Sequence, residues 1–369
     1  MSTVDRIAKI TDRAGTGAPN FTNGFTVAGV DSGITVFTHT EGSTEPTNPS
    51  NGDTWWDTGN DKYYVRMNGA WQQWLGTVSY QWWGARGMNV GGHSSTDSMD
   101  YIDLSVTSGN ATDFGNLTVS RQRLSASGDG VRGLALGGLS QNVIDYWAFA
   151  TTGNAVDFGD LLSGSNNYGA TVSDATKAIY AGGTSGTNNV IQYVTVQTAG
   201  NAVDFGDLSE GRYFLSATNN LTHGLFMGGY TTAYTNRIDK ITMGTLGNAT
   251  DVGDMTDSNS GGGQGVCSDN TTGLVMGGNR TSDAWNPNIE KVTIATAGNG
   301  SDFGDLTQDV SYNAQTANAT NARGVCMGGY APSAQFNNIE YVTISSPGNA
   351  TDFGDLSAVI QYSAGVSGA

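Results

Sequence analysis

Positive charge, histidine, cysteine and proline are all scarce in this chain, and each shortage removes a class of function. Sixteen Lys and Arg stand against 33 Asp and Glu, for a formal net charge of −17. A nucleic-acid binder needs a positive footprint to displace counterions from phosphates. No Lys/Arg cluster supplies one, so nucleic acid is not an expected partner. The acidity itself accounts for solubility and resistance to self-association. Cys267 and Cys326 are the only cysteines among 369 residues. They make no disulfide framework and read as small buried apolar residues. No apolar run approaches the roughly 18 residues of a membrane span, so no membrane insertion is expected. The opening MSTVDRIAKITDRAG lacks the apolar core of a secretory signal, which makes a cytosol the expected place of synthesis.

What is abundant is glycine, with 54 copies, beside only 6 prolines and 13% charged residues. That mixture suits many short strands joined by tight turns. Fifteen Tyr, 12 Phe and 8 Trp are enough for a packed core, which argues against disorder.

Three signals recur in order, six times each. The first is a short apolar run ending in Gly-Gly: MNVGG (88–92), LALGG (134–138), IYAGG (179–183), LFMGG (225–229), LVMGG (274–278) and VCMGG (325–329). The second is an alternating segment such as VIQYVTV (190–196), RIDKITM (237–243) or NIEYVTI (339–344). The third is a phrase, GNAVDFGDL, that stands unchanged at 153–161 and 200–208 and with small variations at 109–117, 247–255, 298–306 and 348–356. The Gly-Gly pairs begin at 91, 137, 182, 228, 277 and 328, a period of 45 to 51 residues. A unit of this length with several strand signals is a propeller signature. The alternating segment reads as a strand, and the Gly-Gly run as a strand apolar on both faces, packed between neighbours.

A fourth strand precedes most Gly-Gly runs: RLSASGDG (123–130), YGATVSDA (168–175), YFLSATNN (213–220) and YNAQTANA (312–319), with GGGQGVCSDN (261–270) a weaker version. The first unit lacks it. The C-terminal VIQYSAGVSGA (359–369) carries that pattern at Tyr362, Ser363 and Ala364. The expected fold is therefore all-β, a six-bladed β-propeller over residues 78–369 closed by the C-terminal strand. The phrase reads as each blade's last strand with its corners. Its Gly and Asn supply a tight turn, Phe158, Phe205, Phe303 and Phe353 face the next blade, and its aspartates cap flanking turns. Ahead of the propeller, TWWDT, KYYVRM and AWQQWL, separated by GND and Asn-Gly turns, read as a small β-meander over 48–77. Trp55, Trp56, Trp71 and Trp74 read as its core rather than as a sugar-stacking platform.

Catalytic chemistry is hard to place. Asp-Phe-Gly recurs five times, but without a kinase's other elements it marks repeat geometry, not Mg²⁺ binding. Asp pairs three apart, such as Asp157 and Asp160, lack the ligand density of a Ca²⁺ loop. No Ser-His-Asp set is readable, and no pair of carboxylates stands out from the repeat for glycoside hydrolysis. The expectation is no catalytic residue, no metal ligand and no cofactor.

The Gly-Gly strand, the I/V-x-Y/K-V/I strand and the aromatic-Gly-x-Leu corner together resemble the Kelch-type repeat, with Phe or Val at the corner where Trp is usual. Kelch-type propellers include copper-radical oxidases, whose metal needs Tyr, Cys and His ligands; here the histidines are only His39, His93 and His223, and His39 lies outside the repeats. The GNATDFGDL wording is similar to Kelch-like repeats of tailed-bacteriophage structural proteins. The segment 48–76 resembles a small module of phage tail-fibre and other virion proteins, and TGAPNFTNGFTVAG (16–29) resembles the start of such proteins. The resemblance implies a virion protein of the tail-fibre or appendage type, assembled in the host cytoplasm. It implies an attachment arm (1–47) and a meander (48–77) that dock to other virion proteins, a globular head, and a homo-oligomer, often a trimer.

Alternating strands place the loops after each Gly-Gly on one rim: HSSTDS (93–98), LSQN (139–142), TSGTNN (184–189), YTTAYTN (230–236), NRTSDAWNPN (279–288) and YAPSAQFNN (330–338). They vary while the scaffold repeats, as binding loops do, although unconstrained surface loops also vary. Tyr230, Tyr234, Trp285, Tyr330 and Phe336 are the candidate ligand-binding rim, suited to stacking on sugars among Asn, Ser and Thr. Four functions fit in decreasing measure: a non-enzymatic appendage contacting a host surface glycan or protein, a capsid or neck decoration protein, a polysaccharide-degrading enzyme, and a cellular Kelch scaffold.

Overall fold

The computed structural model describes residues 39–50, 53–57, 62–67, 70–73, 84–94, 96–162, 166–184, 188–260, 267–280, 285–318, 323–331 and 334–368. Every regular element among them is a strand. The chain divides into two compact units, Met1–Ser79 and Tyr80–Ala369.

The first unit carries one four-stranded sheet. Thr54–Asp57, Lys62–Met67 and Ala70–Gln73 form the expected antiparallel meander. His39–Gly42, ahead of the residue 48 at which the sequence reading begins the meander, adds a fourth strand parallel to Thr54–Asp57. Trp55 is buried, stacks on Tyr64 at 5.1 Å and donates its indole N–H to the Gly42 carbonyl at 2.9 Å. That places it in the core of this sheet. The phage-like stretch 16–29 and Trp74 lie outside the described residues.

The second unit is a six-bladed β-propeller. Blade two shows the pattern: inner strand Ser125–Gly128, second strand Arg132–Leu136, third strand Val143–Ala148 and outer strand Val156–Asp160, all antiparallel neighbours. Blade three (Ala170–Ser173 to Val203–Asp207), blade four (Ser216–Asn219 to Thr250–Asp254) and blade six (Ala314–Asn318 to Thr351–Asp355) repeat it. Blade five retains Thr272–Met276, Asn288–Thr293 and Ser301–Asp305. Its inner edge appears as a Ser268–Gly273 bridge, and 261–266 lie outside the described residues. In blade one the C-terminal strand Ala364–Gly368 pairs antiparallel with Arg86–Val90, Ala364 opposite Val90. Ser98–Asp103 and Thr112–Asn116 complete that blade. The ring is thus closed by its last strand, as the sequence predicts. Among the described residues no helix is long and apolar enough to cross a membrane.

The core lies between blades. Six apolar clusters fill the six blade-to-blade gaps; Phe158, for example, meets Ala178, Tyr180 and Val194 of the next blade. Burying such a side chain stabilises by about 1.5–3 kcal/mol.

The recurring phrase has a different task from the one its composition suggests. Its Gly-Asn-Ala does not turn its own hairpin. It lies along the outer strand of the preceding blade and hydrogen-bonds to it. In all six copies the Asn side-chain oxygen accepts the last N–H of that strand at 3.0–3.1 Å, from Asn154 and Asn116 round to Asn110 and Asp355. The N–H two residues beyond the phrase's first Gly donates to the same strand at 2.7–2.8 Å, as Ala155 does to Asn116 and Ala111 to Asp355. The later Gly, in Phe-Gly-Asp, makes this overlap possible. At Gly206 φ is +150°, and a Cβ there would stand 2.4 Å from the Gly247 carbonyl oxygen of the next blade. The phrase's aspartates are not the turn caps either. They occupy outer-strand positions that face water, as Asp157 and Asp204 do. Caps between inner and second strands come instead from Asp129, Asp174, Asn220 and Asp269, whose side chains accept the N–H groups two and three residues on.

A second set of staples crosses each gap deeper down. A buried residue at one repeat position of each third strand, Asp100, Asp145, Gln192, Asp239, Glu290 or Glu340, accepts from the residue that follows the preceding blade's phrase. Two of these acids also hold buried arginines, Arg121 to Asp145 at 2.9 Å and Arg212 to Asp239 at 2.8 Å. Burial pulls both guanidinium groups below their usual range, and the paired carboxylate opposes it.

Two stability predictions follow from this construction. Deleting residues 358–369 opens blade one and should give an aggregating or unfolded protein; a soluble product that melts like the full chain would overturn the closure. Gly206→Ala should destabilise by about 1–3 kcal/mol through backbone strain at positive φ added to the carbonyl clash, read as a lower thermal unfolding midpoint.

Candidate ligand-binding face

Second strands end, and inner strands begin, on one rim. Each inner strand is preceded by a residue whose repeat position the sequence reading passed over. These are Arg123, Tyr168, Phe214, Tyr312 and Tyr362, in blades two, three, four, six and one. Blade five's counterpart falls outside the described residues. All five have left-handed backbones, with φ between 57° and 63°, uncommon for bulky non-glycine residues. Their amides form a belt around the axis. The N–H of Arg123 donates to the Tyr362 carbonyl at 2.8 Å, Tyr168 to Arg123 at 3.0 Å, Phe214 to Tyr168 at 2.8 Å, and Tyr362 to Tyr312 at 2.8 Å. The left-handed turn is what lets each residue bond sideways to its neighbours while its inner strand departs down the axis.

The side chains converge over the axis. Tyr168 and Tyr312 belong to opposite blades, yet their ring centroids are 6.5 Å apart. Phe214 lies 3.9 Å from Tyr168 and 5.6 Å from Tyr312, and Tyr312 lies 4.6 Å from Tyr362. The Arg123 guanidinium stands over Tyr168 at 4.7 Å and over Tyr362 at 5.3 Å. Such contacts are worth about 0.5–2 kcal/mol each. Beneath this cap the axis is narrow. The inner strands carry small residues whose hydroxyls bond across the gaps, Ser125 to Thr171 at 2.8 Å, Ser173 to the Gly128 carbonyl at 2.7 Å and Ser367 to the Ala317 carbonyl at 2.6 Å.

Burial raises the phenol pKa values of the cap. Tyr168 goes well above the tyrosine range by burial, then by Tyr362, with Arg123 opposing. Tyr312 rises by burial, then by Tyr362 and Tyr234, with the Asn279 amide, which donates to its hydroxyl at 2.8 Å, opposing. Tyr362 rises by burial and is held back by Arg123.

Four of the five rim aromatics expected from sequence join this face, in two pairs. Tyr230 and Tyr234 form an edge-to-face pair at 5.3 Å, and Tyr230 meets Tyr213 at 5.5 Å. Tyr213 lies 4.7 Å from Phe214, which links the pair to the axial cap. Trp285 and Tyr330 form a second pair at 5.9 Å from blades five and six. All four are half-buried, and the Trp285 indole N–H is buried without a partner. Phe336 instead packs against the apolar cluster between blades five and six. Its stretch is not a loose loop. Arg323–Ala331 and Ala334–Thr343 run on past the Gly-Gly as a hairpin, with Gly329 opposite Phe336 and Tyr330 opposite Gln335. The axial residues were visible in the sequence as a large residue repeated just before each inner strand, but there they read only as strand starts.

The opposite rim, where the third and outer strands connect, holds a cleft of about 470 Å³ between blades six and one, lined by Arg86, Tyr101, Asn110 and Phe353 among others. Arg86 and Arg323 serve structure there. Each stacks on the tyrosine of its own blade's third strand, Tyr101 at 5.0 Å and Tyr341 at 4.9 Å, and donates to a carbonyl of the next blade, Phe149 or Leu104. Cys267 and Cys326 are free and buried, and burial drives both thiols up, away from thiolate reactivity. Among the described residues no group of three or more His, Cys, Asp or Glu is placed to hold a metal ion.

No protein-family model matches the chain, and no curated protein matches it.

The buried phenols make an alkaline prediction. The unfolded phenol ionises near pH 10, while Tyr168, Tyr180 and Tyr312 are held protonated above that. Their contribution to stability is therefore complete below pH 10 and lost as pH rises beyond it. Phenolate absorbance should show a first group of tyrosines titrating near pH 10 and a second appearing only with unfolding. A single reversible titration of all tyrosines would contradict the burial of the cap.

Proposed function

We propose that this chain is a non-enzymatic structural protein of a bacteriophage virion, of the tail-fibre or appendage type, whose propeller contacts the host surface and binds a glycan there. The observation that carries the binding role is the aromatic cap. Rings from several blades gather at one rim and connect through Tyr213 to Tyr230 and Tyr234. Stacking surfaces beside Asn, Ser and Thr are what a sugar needs, apolar ring faces and hydroxyl partners together. A rigid scaffold that displays variable loops favours recognition. The assignment to a virion is supported by the resemblance of the repeat phrase and of the 48–76 module to phage structural proteins. In this reading residues 1–77 dock to other virion proteins, and the chain works as a homo-oligomer.

Gold-labelled antibody against residues 78–369, imaged on intact virions by electron microscopy, tests this. Label at tail or fibre tips is expected. Label over the capsid or neck would replace adhesion with decoration, and label on no particle would remove the protein from the virion.

A further inference from the structure

Arg123 breaks the pattern of the axial belt. The other four described positions carry Tyr or Phe; this one carries a cation 4.7 Å from the ring of Tyr168 and 5.3 Å from that of Tyr362. In a chain with 33 acidic and 16 basic residues, a half-buried arginine has no shortage of carboxylates to meet. Arg121 and Arg212 both find one. Arg123 has no ion pair or hydrogen-bond acceptor among the described residues, and its Nε is buried without a partner. Gln122 and Gln361, the residues that precede Arg123 and Tyr362 in the chain, each bury a side-chain carbonyl oxygen without a donor, and His93, 6.3 Å from Tyr362, buries an unpartnered Nδ1.

From this arrangement we infer that the axial cap is a binding site for an acidic sugar, whose carboxylate meets the edge of the Arg123 guanidinium while its ring stacks on the surrounding tyrosines. A guanidinium fork matches a carboxylate's two oxygens. The chain's net charge of −17 repels anions at long range, so selection of an acid rests on this one short-range contact. The inference builds on the glycan-binding reading and names the class of sugar.

The test is isothermal titration of the full chain with trigalacturonate, triguluronate and sialyllactose, each beside its methyl ester, which keeps the ring and removes the charge. At least one acid should bind about tenfold or more tighter than its ester, the size expected of a charge-assisted bidentate contact. Arg123→Gln should bring that acid to the level of its ester, and Arg123→Lys, a point charge without the fork, should fall between. Unfolding midpoints identify any variant that fails to fold, in which case the acid–ester comparison on the unaltered chain decides alone. Equal binding of acid and ester, binding of no acid, or an unchanged Arg123→Gln would overturn the inference. Ester binding as tight as acid binding would remove the acid and leave a glycan site standing. Label on the capsid would remove the appendage and leave the acid measurement unaffected.

Discussion

Each Gly-Asn segment lies hydrogen-bonded along the outer strand of the blade before it, and the rest of the propeller depends on that overlap. An outer strand with a free edge invites pairing with another chain. Here the Asn side chain and one or two backbone amides occupy that edge in every blade. The overlap also sets how closely neighbouring blades approach, because the glycine of Phe-Gly-Asp leaves no room for a side chain beneath the crossing backbone. The third strand accommodates the crossing with a register shift at the same height, seen between Ile191 and Gln192 and at the matching position of the other blades. A phrase that binds the preceding copy's outer strand has to stay constant all round the ring. That is why it is the least variable text in the chain.

Close approach at the periphery forces economy at the centre. Inner strands of neighbouring blades come near enough for Ser and Thr hydroxyls to bond across, and Gly365 has the Gln315 carbonyl where a Cβ would be. Large side chains are therefore excluded from the inner strands and find room only at the rim, where the strands begin. The axial cap is the result. Its left-handed backbones cost of order 1 kcal/mol each, and the belt of amide bonds and ring contacts offsets this.

The fold was legible because it is repetitive. Strand alternation in RIDKITM and its five relatives, the Gly-Gly stops and the missing first inner strand each pointed to the blade count and to closure by Tyr362, Ser363 and Ala364, and Ala364–Gly368 pairs as they require. The work of the phrase was not legible, because turn chemistry is local and the Asn acts on a strand about 40 residues away, as Asn201 does on Asp160. The rim was half legible. Variable loops drew attention to Tyr230, Tyr234, Trp285 and Tyr330, which the structure pairs on this rim, while Phe336 sits on a hairpin that turns it toward the core. The axial residues escaped because variation was taken as the mark of a site, and they belong to the repeat. Their convergence is a property of the closed ring and exists in no single blade.

Function in such a ring is best sought where a repeated position is filled in a way the scaffold does not need. Arg121 and Arg212 fail that criterion. They occur in only two of the six gaps, but each is absorbed by a buried carboxylate and a backbone carbonyl, and so belongs to the structure. Arg86, Arg132 and Arg323 are likewise accounted for by a tyrosine of their own blade and a carbonyl of the next. Arg123 alone of these has its rings and no acceptor among the described residues. An aromatic side chain at that position would complete the cap as it does in blades three, four, six and one. The cation gains from its two ring contacts, and the inferred carboxylate would supply the acceptor those rings leave it without.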